Sequence, residues 1–205
     1  MNIRIKTNQQ GFTIAELMIA TLVFSVILLI ATTSIIEISH TYYKGINEAN
    51  TQDTARSIME TIGQSIQFGG GNVTATPAPN PGSMQQFCVG NRQFSYKLGS
   101  QLVTGAVTPG QTNAALRVNT LSACNSGSTP QTSGQELLAP KMRLSDLSVT
   151  PITTGATYRV HVKVIYGDSD LLSNPTGPDA KCTGNAGSQF CSVSDISTIV
   201  YKRVP

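Results

Sequence analysis

The chain has 205 residues, of which only 12% are charged, and its formal net charge at neutral pH is +3. This length is enough for one domain with a small hydrophobic core. The weak positive charge excludes the polycationic surface with which proteins neutralise nucleic-acid phosphates, so we expect no nucleic-acid partner.

An apolar stretch near the N-terminus is the most distinctive feature of the sequence. Residues 17–36 contain no charged residue, no proline and no glycine. A helix of about 20 such residues matches the hydrocarbon thickness of a bilayer, so the stretch predicts a membrane-spanning helix. Glu16 directly precedes it. Because an unpaired charge in mid-membrane costs about 2.5 to 3.5 kcal/mol, we expect Glu16 to lie near the interface or to have a partner.

The segment before this stretch is short and mostly polar, carries Arg4 and Lys6 as its only charges, and ends in Gly11. An ordinary secretory signal has its small-residue cleavage site after the apolar stretch, whereas here the small residue stands before it. Cleavage after Gly11 would create a new amine on Phe12 and place Glu16 about 6 Å further along the helix. A carboxylate is also favoured there by the helix dipole. Cleavage would remove two of the 14 cations and none of the 11 acids, which leaves a side-chain charge of +1.

At these positions the sequence resembles the type IV pilin superfamily. Its members have a short basic leader, a cleavage-site glycine, an N-methylated aromatic residue that is usually phenylalanine, and a glutamate at the fifth mature position. Gly11, Phe12 and Glu16 match the last three features. The resemblance implies that a prepilin peptidase cleaves between Gly11 and Phe12 and methylates the Phe12 amine. It also implies that Glu16 of one subunit neutralises the Phe12 amine of a neighbour during assembly on an inner-membrane platform.

Two other interpretations of the N-terminus remain open. One is a signal peptide cleaved near Ala31 or Ser34, which the glutamate and the length of the apolar region disfavour. The other is a single-pass anchor, with Arg4 and Lys6 in the cytoplasm and the C-terminal bulk outside. That topology is the same as the pilin precursor's, so only cleavage and assembly distinguish the two.

The apolar stretch continues into an amphipathic segment, which predicts one helix over about residues 13–68. A cluster of three glycines at residues 69–71 ends it. We expect the second half of the helix, residues 37–68, to bury one apolar face against the rest of the chain. That face comprises Ile38, Tyr42, Ile46, Ala49, Ala55, Ile58, Met59, Ile62 and Ile66.

The remaining sequence predicts short strands between Gly, Pro, Asn and Ser clusters. Residues 157–166 alternate most clearly, with valines on one face and Arg159, His161 and Lys163 on the other, as in a half-buried antiparallel strand. We expect a turn at residues 153–155 before it. The other predicted strands are 86–89, 93–98, 115–121, 143–149 and 197–204. A sheet with one apolar face would cover the helix, which predicts an α+β fold with a long N-terminal helical spine and an antiparallel β-sheet head.

Four cysteines follow the helix: Cys88, Cys124, Cys182 and Cys191. An even number outside the cytoplasm predicts two disulfides, for which three pairings are possible. We favour Cys182–Cys191, which closes a short loop, and Cys88–Cys124; free buried thiols are the alternative. In pilins a disulfide-bounded region near the C-terminus flanks the sheet, and the resemblance implies a similar region here.

The sequence contains no motif for catalysis, and we expect neither an enzyme nor a cofactor. The segment 167–169 is similar to the start of a GDS-type esterase block, but such a serine needs a histidine, and His161 is the only one near it in the sequence. Asp168 and Asp170 are candidate calcium ligands that lack the EF-hand spacing, so a solvated turn is the simpler interpretation. We expect no metal site.

The resemblance to type IV pilins therefore implies a structural subunit of a type IV pilus. Its parts would be a cleaved leader (1–11), an apolar membrane and filament-core helix (12–36), an amphipathic half-helix (37–68) and an extracytoplasmic head (69–205). A loose likeness of the second half-helix to larger minor pilins and pseudopilins favours a minor pilin, whose partners are other pilin subunits and, before assembly, membrane lipid. The alternatives are a type II secretion pseudopilin and a membrane-anchored extracellular adhesin or binding protein that does not polymerise.

Overall fold

The computed structural model describes residues 11–153, 156–177, 179–184 and 187–204. The leader up to residue 10 and two residues of the expected turn, Thr154 and Gly155, lie outside the described residues. The chain divides between Tyr42 and Tyr43 into two compact units.

A single long helix, α1 (Ile14–Phe68), opens the described chain and confirms the predicted helical spine. It ends at the glycine cluster, as expected. Gly70 and Gly71 have φ values of +60° and +68°, a left-handed conformation that glycine adopts without steric cost. A Cβ on Gly90 would lie 2.4 Å from the carbonyl oxygen of Gly70, so only glycine allows this close approach to the end of the helix.

In the first unit, the side chains of α1 are exposed almost throughout. By length and composition the helix is able to cross a membrane. Its few hydroxyl groups do not interrupt the apolar surface, because each donates a hydrogen bond to a carbonyl three or four residues earlier in the same helix. These residues are Thr21, Ser25, Thr32, Thr33, Ser34, Ser39 and Thr41.

The second unit contains the strands, and the four-stranded and five-stranded sheets are its largest parts. The strands are β1 (Met84–Val89), β2 (Arg92–Lys97), β3 (Gln101–Leu102), β4 (Gln111–Thr112), β5 (Leu116–Thr120), β6 (Gln135–Glu136), β7 (Met142–Thr153), β8 (Thr157–Tyr166), β9 (Leu172–Ser173), β10 (Lys181–Cys182) and β11 (Ser192–Tyr201).

One sheet has the strand order β1-β2-β5-β6, a second has the order β11-β8-β7-β3-β4, and β9 pairs with β10 alone. All described pairs are antiparallel except β3 with β4, which are parallel, so the head is mixed rather than purely antiparallel. The α+β class is confirmed. Strand β11 starts at Ser192, five residues earlier than the predicted 197–204 strand, because the polar residues at its start carry no strand signal.

The main core forms between the second part of α1 and the two larger sheets. From the helix it receives Ala55, Ile58, Met59, Ile62 and Ile66. The predicted apolar face was wrong at its N-terminal end. Ile38, Tyr42, Ile46 and Ala49 are exposed, and the first buried residue of α1 is Thr51. Periodicity identifies an apolar stripe on a helix, but it does not show how far the sheets extend along that stripe.

The two faces of β8 have different environments. Val160, Val162 and Val164 point into the main core, as the alternation predicted. On the opposite face, Ile165 packs against Leu172, Ala180 and Cys191 in a second, smaller cluster. The segment between β8 and β11 thus covers one end of the outer face of the five-stranded sheet, and towards the other end Arg159 and Ile199 are exposed.

Candidate assembly site

The start of α1 is closed by reciprocal hydrogen bonds between Thr13 and Glu16. The Thr13 backbone amide donates to Glu16 Oε2 at 3.0 Å, and the Glu16 amide donates to Thr13 Oγ1 at 3.3 Å. The Thr13 hydroxyl also donates to Glu16 Oε2 at 3.0 Å. This arrangement is a capping box, in which two side chains satisfy amides that the first helical turn leaves without partners.

The capping box gives Glu16 a role inside its own chain that the sequence analysis missed. The signal was present, because a threonine three residues before a glutamate at the start of an apolar run is the pattern of this cap. All the capping contacts to the carboxylate use Oε2. Glu16 is exposed, so Oε1 remains accessible to a donor from outside the chain.

Gly11 and Phe12 lie immediately before the helix and have no assigned secondary structure. Both are exposed, and Phe12 has 84% of its surface accessible. Exposed segments outside regular secondary structure are the ones that peptidases reach most easily, and both residues of this junction are of that kind.

The apolar run that follows forms a surface on all sides of the helix. Its large apolar side chains are 48% to 80% exposed, and this surface includes Ile14, Leu17, Leu22, Phe24, Ile27, Leu29 and Ile35. A helix that is apolar all round needs an apolar environment on every side. Within the described residues this surface is uncovered, and by length and composition the helix is able to cross a membrane.

Residues 6–32 match the family model of a prokaryotic N-terminal methylation motif. The match spans the Gly11–Phe12 junction, Glu16 and most of the apolar run. This motif is of the type IV pilin-like prepilin kind, and it supports a pilin-like or pseudopilin-like precursor. No curated protein and no solved structure matches the chain.

Two disulfides stabilise the head. They join Cys88 to Cys124 and Cys182 to Cys191, which are the two pairs that the sequence analysis favoured. The second disulfide bounds a loop that contacts α1. The side-chain amide of Asn47, on the helix, donates a hydrogen bond to the carbonyl of Gln189, in the loop, at 3.2 Å.

Directly after this loop, the Ser192 hydroxyl donates to the Asn47 carbonyl at 3.0 Å and shares a hydrogen bond with the Thr51 hydroxyl. The resemblance implied a disulfide-bounded region that flanks the sheet. Here the contacts of that region reach the helix as well.

The Gly-Asp-Ser segment is part of a turn held by a buried arginine. Arg143 donates from Nη2 to the Gly167 carbonyl at 3.0 Å, and Asp168 Oδ1 accepts from Gln101 Nε2 at 3.1 Å. Burial lowers the pKa of Arg143, and the nearby charge of Asp168 opposes that shift. The nearest partner of the Ser169 hydroxyl is this arginine, at 3.4 Å from Nη2.

His161 contacts aspartates instead of that serine. Its ring nitrogens lie 3.1 Å from Asp146 and 2.7 Å from Asp195. The described residues contain no group of three His, Cys, Asp or Glu side chains placed to hold a metal ion.

Proposed function

We propose that this chain is a minor pilin, a structural subunit of a type IV pilus. The observation that carries the proposal is the methylation motif at residues 6–32, followed by a helix whose apolar surface the chain leaves uncovered. Apolar surface of this extent is unfavourable in water, so the subunit requires either a membrane or neighbouring subunits.

A prepilin peptidase removes the leader between Gly11 and Phe12, and the Phe12 amine is methylated. Before assembly, residues 12–36 hold the precursor in the membrane and residues 69–205 form a head on the extracytoplasmic side. The two disulfides support this location, because disulfides form and persist in oxidising compartments.

Assembly transfers the apolar helix from lipid to a bundle of equivalent helices. Lipid tails are as apolar as leucine side chains, so the transfer itself gains little hydrophobic free energy, and an ATP-powered machine must drive extraction. Once the helix is out of the lipid, contact with neighbouring helices keeps its apolar surface away from water, at about 25 cal/mol for each Å² covered. This burial prevents the subunit from leaving the filament.

Within the bundle, Glu16 pairs with the methylated Phe12 amine of a neighbouring subunit and sets the register. The accessible Oε1 supports this role, since it is the oxygen that the capping box does not use. An uncompensated carboxylate in an apolar bundle costs about 2.5 to 3.5 kcal/mol on membrane-insertion scales, and attraction to a neighbouring cation offsets part of that cost.

The capping box makes it possible to test the register role separately from helix capping. Glu16→Gln keeps an oxygen that accepts from the Thr13 amide but removes the charge, whereas Thr13→Val keeps the charge and removes the capping hydroxyl. We expect the leader to be cleaved in both variants. We expect the Glu16→Gln protein to be absent from sheared filaments and the Thr13→Val protein to be present. Mass spectrometry of the N-terminus and immunoblots of sheared filaments measure the two outcomes.

Normal incorporation of Glu16→Gln into filaments would contradict the register role. An unprocessed Met1 on the wild-type protein, in cells that contain the assembly machinery, would contradict the pilin proposal itself. The chain would then be a membrane-anchored adhesin or binding protein.

A type II secretion pseudopilin is the second candidate, because the methylation motif suits pseudopilins as well as pilins. Deletion of the gene distinguishes the two. A minor pilin predicts fewer surface filaments with normal export of folded proteins, and a pseudopilin predicts the reverse.

A further inference from the structure

Two aromatic side chains meet where the disulfide-bounded loop contacts α1. Tyr43, on the helix, and Phe190, in the loop, have ring centroids 6.0 Å apart. Each side chain stays accessible to solvent, Tyr43 by 51% and Phe190 by 47%. Large apolar groups that are exposed together on one surface mark an interaction site. We propose that this aromatic pair docks the head onto the headgroup layer of the membrane that α1 spans before assembly.

This docking rests on one part of the proposed function, in which residues 12–36 hold the precursor in a membrane. It goes beyond that function because it assigns a lipid contact to the head itself. A pseudopilin or a membrane-anchored adhesin would be held in a membrane by the same residues. The docking therefore does not depend on which of these proteins the chain is.

The position of Tyr43 along α1 places it close to the membrane surface. It is the seventh residue after Ile36, the last residue of the uncharged run, which is about 10 Å further along the helix. The headgroup layer is about 5 to 7 Å thick on each side of the hydrocarbon core. Helical side chains lean towards the N-terminus, so we expect the Tyr43 ring to reach back into that layer.

Contacts on both sides of Phe190 fix it beside the helix. Ser188–Phe190 forms a single 3-10 turn, in which the Phe190 amide donates to the Gly187 carbonyl at 2.9 Å. The carbonyl of the preceding residue accepts a hydrogen bond from Asn47 of α1. The following residue, Cys191, is buried and disulfide-bonded. Both ends of the turn therefore hold Phe190 next to Tyr43.

The chemistry of this surface suits a headgroup layer. Tyrosine is enriched at membrane–water interfaces because its ring is apolar and its hydroxyl is polar, and phenylalanine lies on the apolar side of helices that bind in this layer. Ile46 is 39% exposed and follows Tyr43 by three residues, so it lies on the same side of the helix. It extends the apolar surface next to the aromatic pair.

The charges beside the aromatic pair indicate which lipid is sufficient. Lys44 and Glu48, one turn apart on α1, line a cavity next to the Cys182–Cys191 disulfide. Their charges are opposite and cancel at neutral pH. Aromatic residues bind the headgroup layer through their amphipathic rings, which does not require an anionic lipid. We therefore expect the head to dock on a zwitterionic bilayer.

Tryptophan fluorescence in lipid vesicles tests the docking. The chain contains no tryptophan, so one substitution introduces a single reporter. The full-length Phe190→Trp protein is reconstituted into phosphatidylcholine vesicles. Part of the lipid is brominated, either close to the headgroup or near the ends of the acyl chains. We expect the Phe190→Trp emission to be quenched, and more strongly by the lipid brominated close to the headgroup.

Two matched variants give the reference positions. Tyr201→Trp changes an exposed aromatic residue of β11, next to Val200, whose side chain lies beside Gly63 of α1. Gly63 follows Tyr43 by 20 residues, about 30 Å along the helix, so neither brominated lipid should quench Tyr201→Trp. Phe24→Trp changes a residue inside the apolar run. It should be quenched most by the lipid brominated near the chain ends.

Quenching of Phe190→Trp without quenching of Tyr201→Trp supports the docking. An unquenched Phe190→Trp overturns it, even where Phe24→Trp shows that the helix is inserted. Equal quenching of Phe190→Trp and Tyr201→Trp also overturns it, because the head would then lie on the membrane without using the aromatic pair. If Phe190→Trp does not fold, Tyr43→Trp replaces it with the same expected and contradicting results.

The Phe24→Trp variant separates failure of the docking from failure of the proposed function. If its emission is quenched and that of Phe190→Trp is not, α1 spans the bilayer and the docking alone is wrong. If neither is quenched, the helix does not enter the bilayer. The membrane-bound precursor of the proposed function is then contradicted together with the docking.

Discussion

The two parts of α1 share one secondary structure but have opposite environments. Before Tyr43, the large apolar side chains are exposed, Ile27 for example by 57%. After it, Ala55, Ile58 and Ile62 are fully buried. Apolar content alone does not explain this difference, because both parts contain many isoleucines. The second part has a charged face and one apolar face, which a sheet can cover, whereas the first part is apolar all round.

This contrast separates two sources of stability. The second part of α1 is stabilised by its own chain, through the main core. The side chains of the first part are exposed, so they contribute little to the stability of the isolated chain; under the proposed function, lipid and then other subunits would cover them. A substitution should therefore have very different effects on the isolated chain in the two parts of the same helix.

The largest expected effect comes from truncation of a buried isoleucine in the second part. Ile62→Ala should lower the free energy of unfolding by about 2 to 5 kcal/mol, because it removes buried methyl groups and leaves a cavity. Ile62 is fully buried in the main core. Unfolding of the detergent-solubilised chain, followed by the near-ultraviolet signal of buried tyrosines such as Tyr96, measures the loss.

The matched control is Ile27→Ala, the same substitution at an exposed position in the first part. It should change the free energy of unfolding by less than about 0.5 kcal/mol, as substitutions away from packed cores do. Equal losses for Ile27→Ala and Ile62→Ala would show that the first part is covered within the chain, which would contradict the comparison.

Most of the regular structure could be predicted because long periodic segments carry strong signals. The helix was predicted to within one residue, and β8 was predicted at its full length, since its valines alternate with polar residues. Strands β3, β4, β6, β9 and β10 were missed. Each has two residues, which is too short for any periodicity, and their positions depend on neighbouring strands.

The candidate assembly site was predictable in part. Gly11, Phe12 and Glu16 stand at motif positions, so the sequence alone identified them. The cap between Thr13 and Glu16 was missed, although its residues are three apart. The contacts of His161 could not be predicted, because Asp146 and Asp195 come from strands on either side and their approach depends on strand register.

The second prediction concerns the disulfides, both of which belong to the second unit. Replacement of Cys88 and Cys124 by serine should cost about 4 kcal/mol, and replacement of Cys182 and Cys191 about 2.5 kcal/mol, in the chain-entropy model. The Cys88–Cys124 disulfide spans 36 residues and the Cys182–Cys191 disulfide spans 9. Removal of the first therefore frees a longer loop in the unfolded chain.

Chemical unfolding of the two double variants measures both costs against the wild type. Far-ultraviolet circular dichroism in detergent should show that helicity of the first part of α1 persists after the head has unfolded. If all helicity were lost together with the head, the first part of α1 would depend on the head for its stability, contrary to the difference in burial between the two parts of the helix.

The smallest effect is expected for the substitution of threonine by valine, which can be made in both parts of α1. The Thr51 hydroxyl is buried and bonded to the Ser192 hydroxyl, so Thr51→Val removes a contact between the helix and β11 and should cost about 1 kcal/mol. The remaining Ser192 hydroxyl still donates to the Asn47 carbonyl, which limits the loss.

Within the described residues, the Thr33 hydroxyl bonds to the carbonyls of Leu29 and Ile30 in its own helix, so Thr33→Val should leave the stability of the isolated chain unchanged to within about 0.5 kcal/mol. Thermal unfolding of both variants measures the pair. If Thr33→Val destabilised the isolated chain as much as Thr51→Val does, hydrogen bonds within the helix would matter as much as contacts with the sheet. The difference in burial between the two parts of α1 would then not explain how much each part contributes to the stability of the chain.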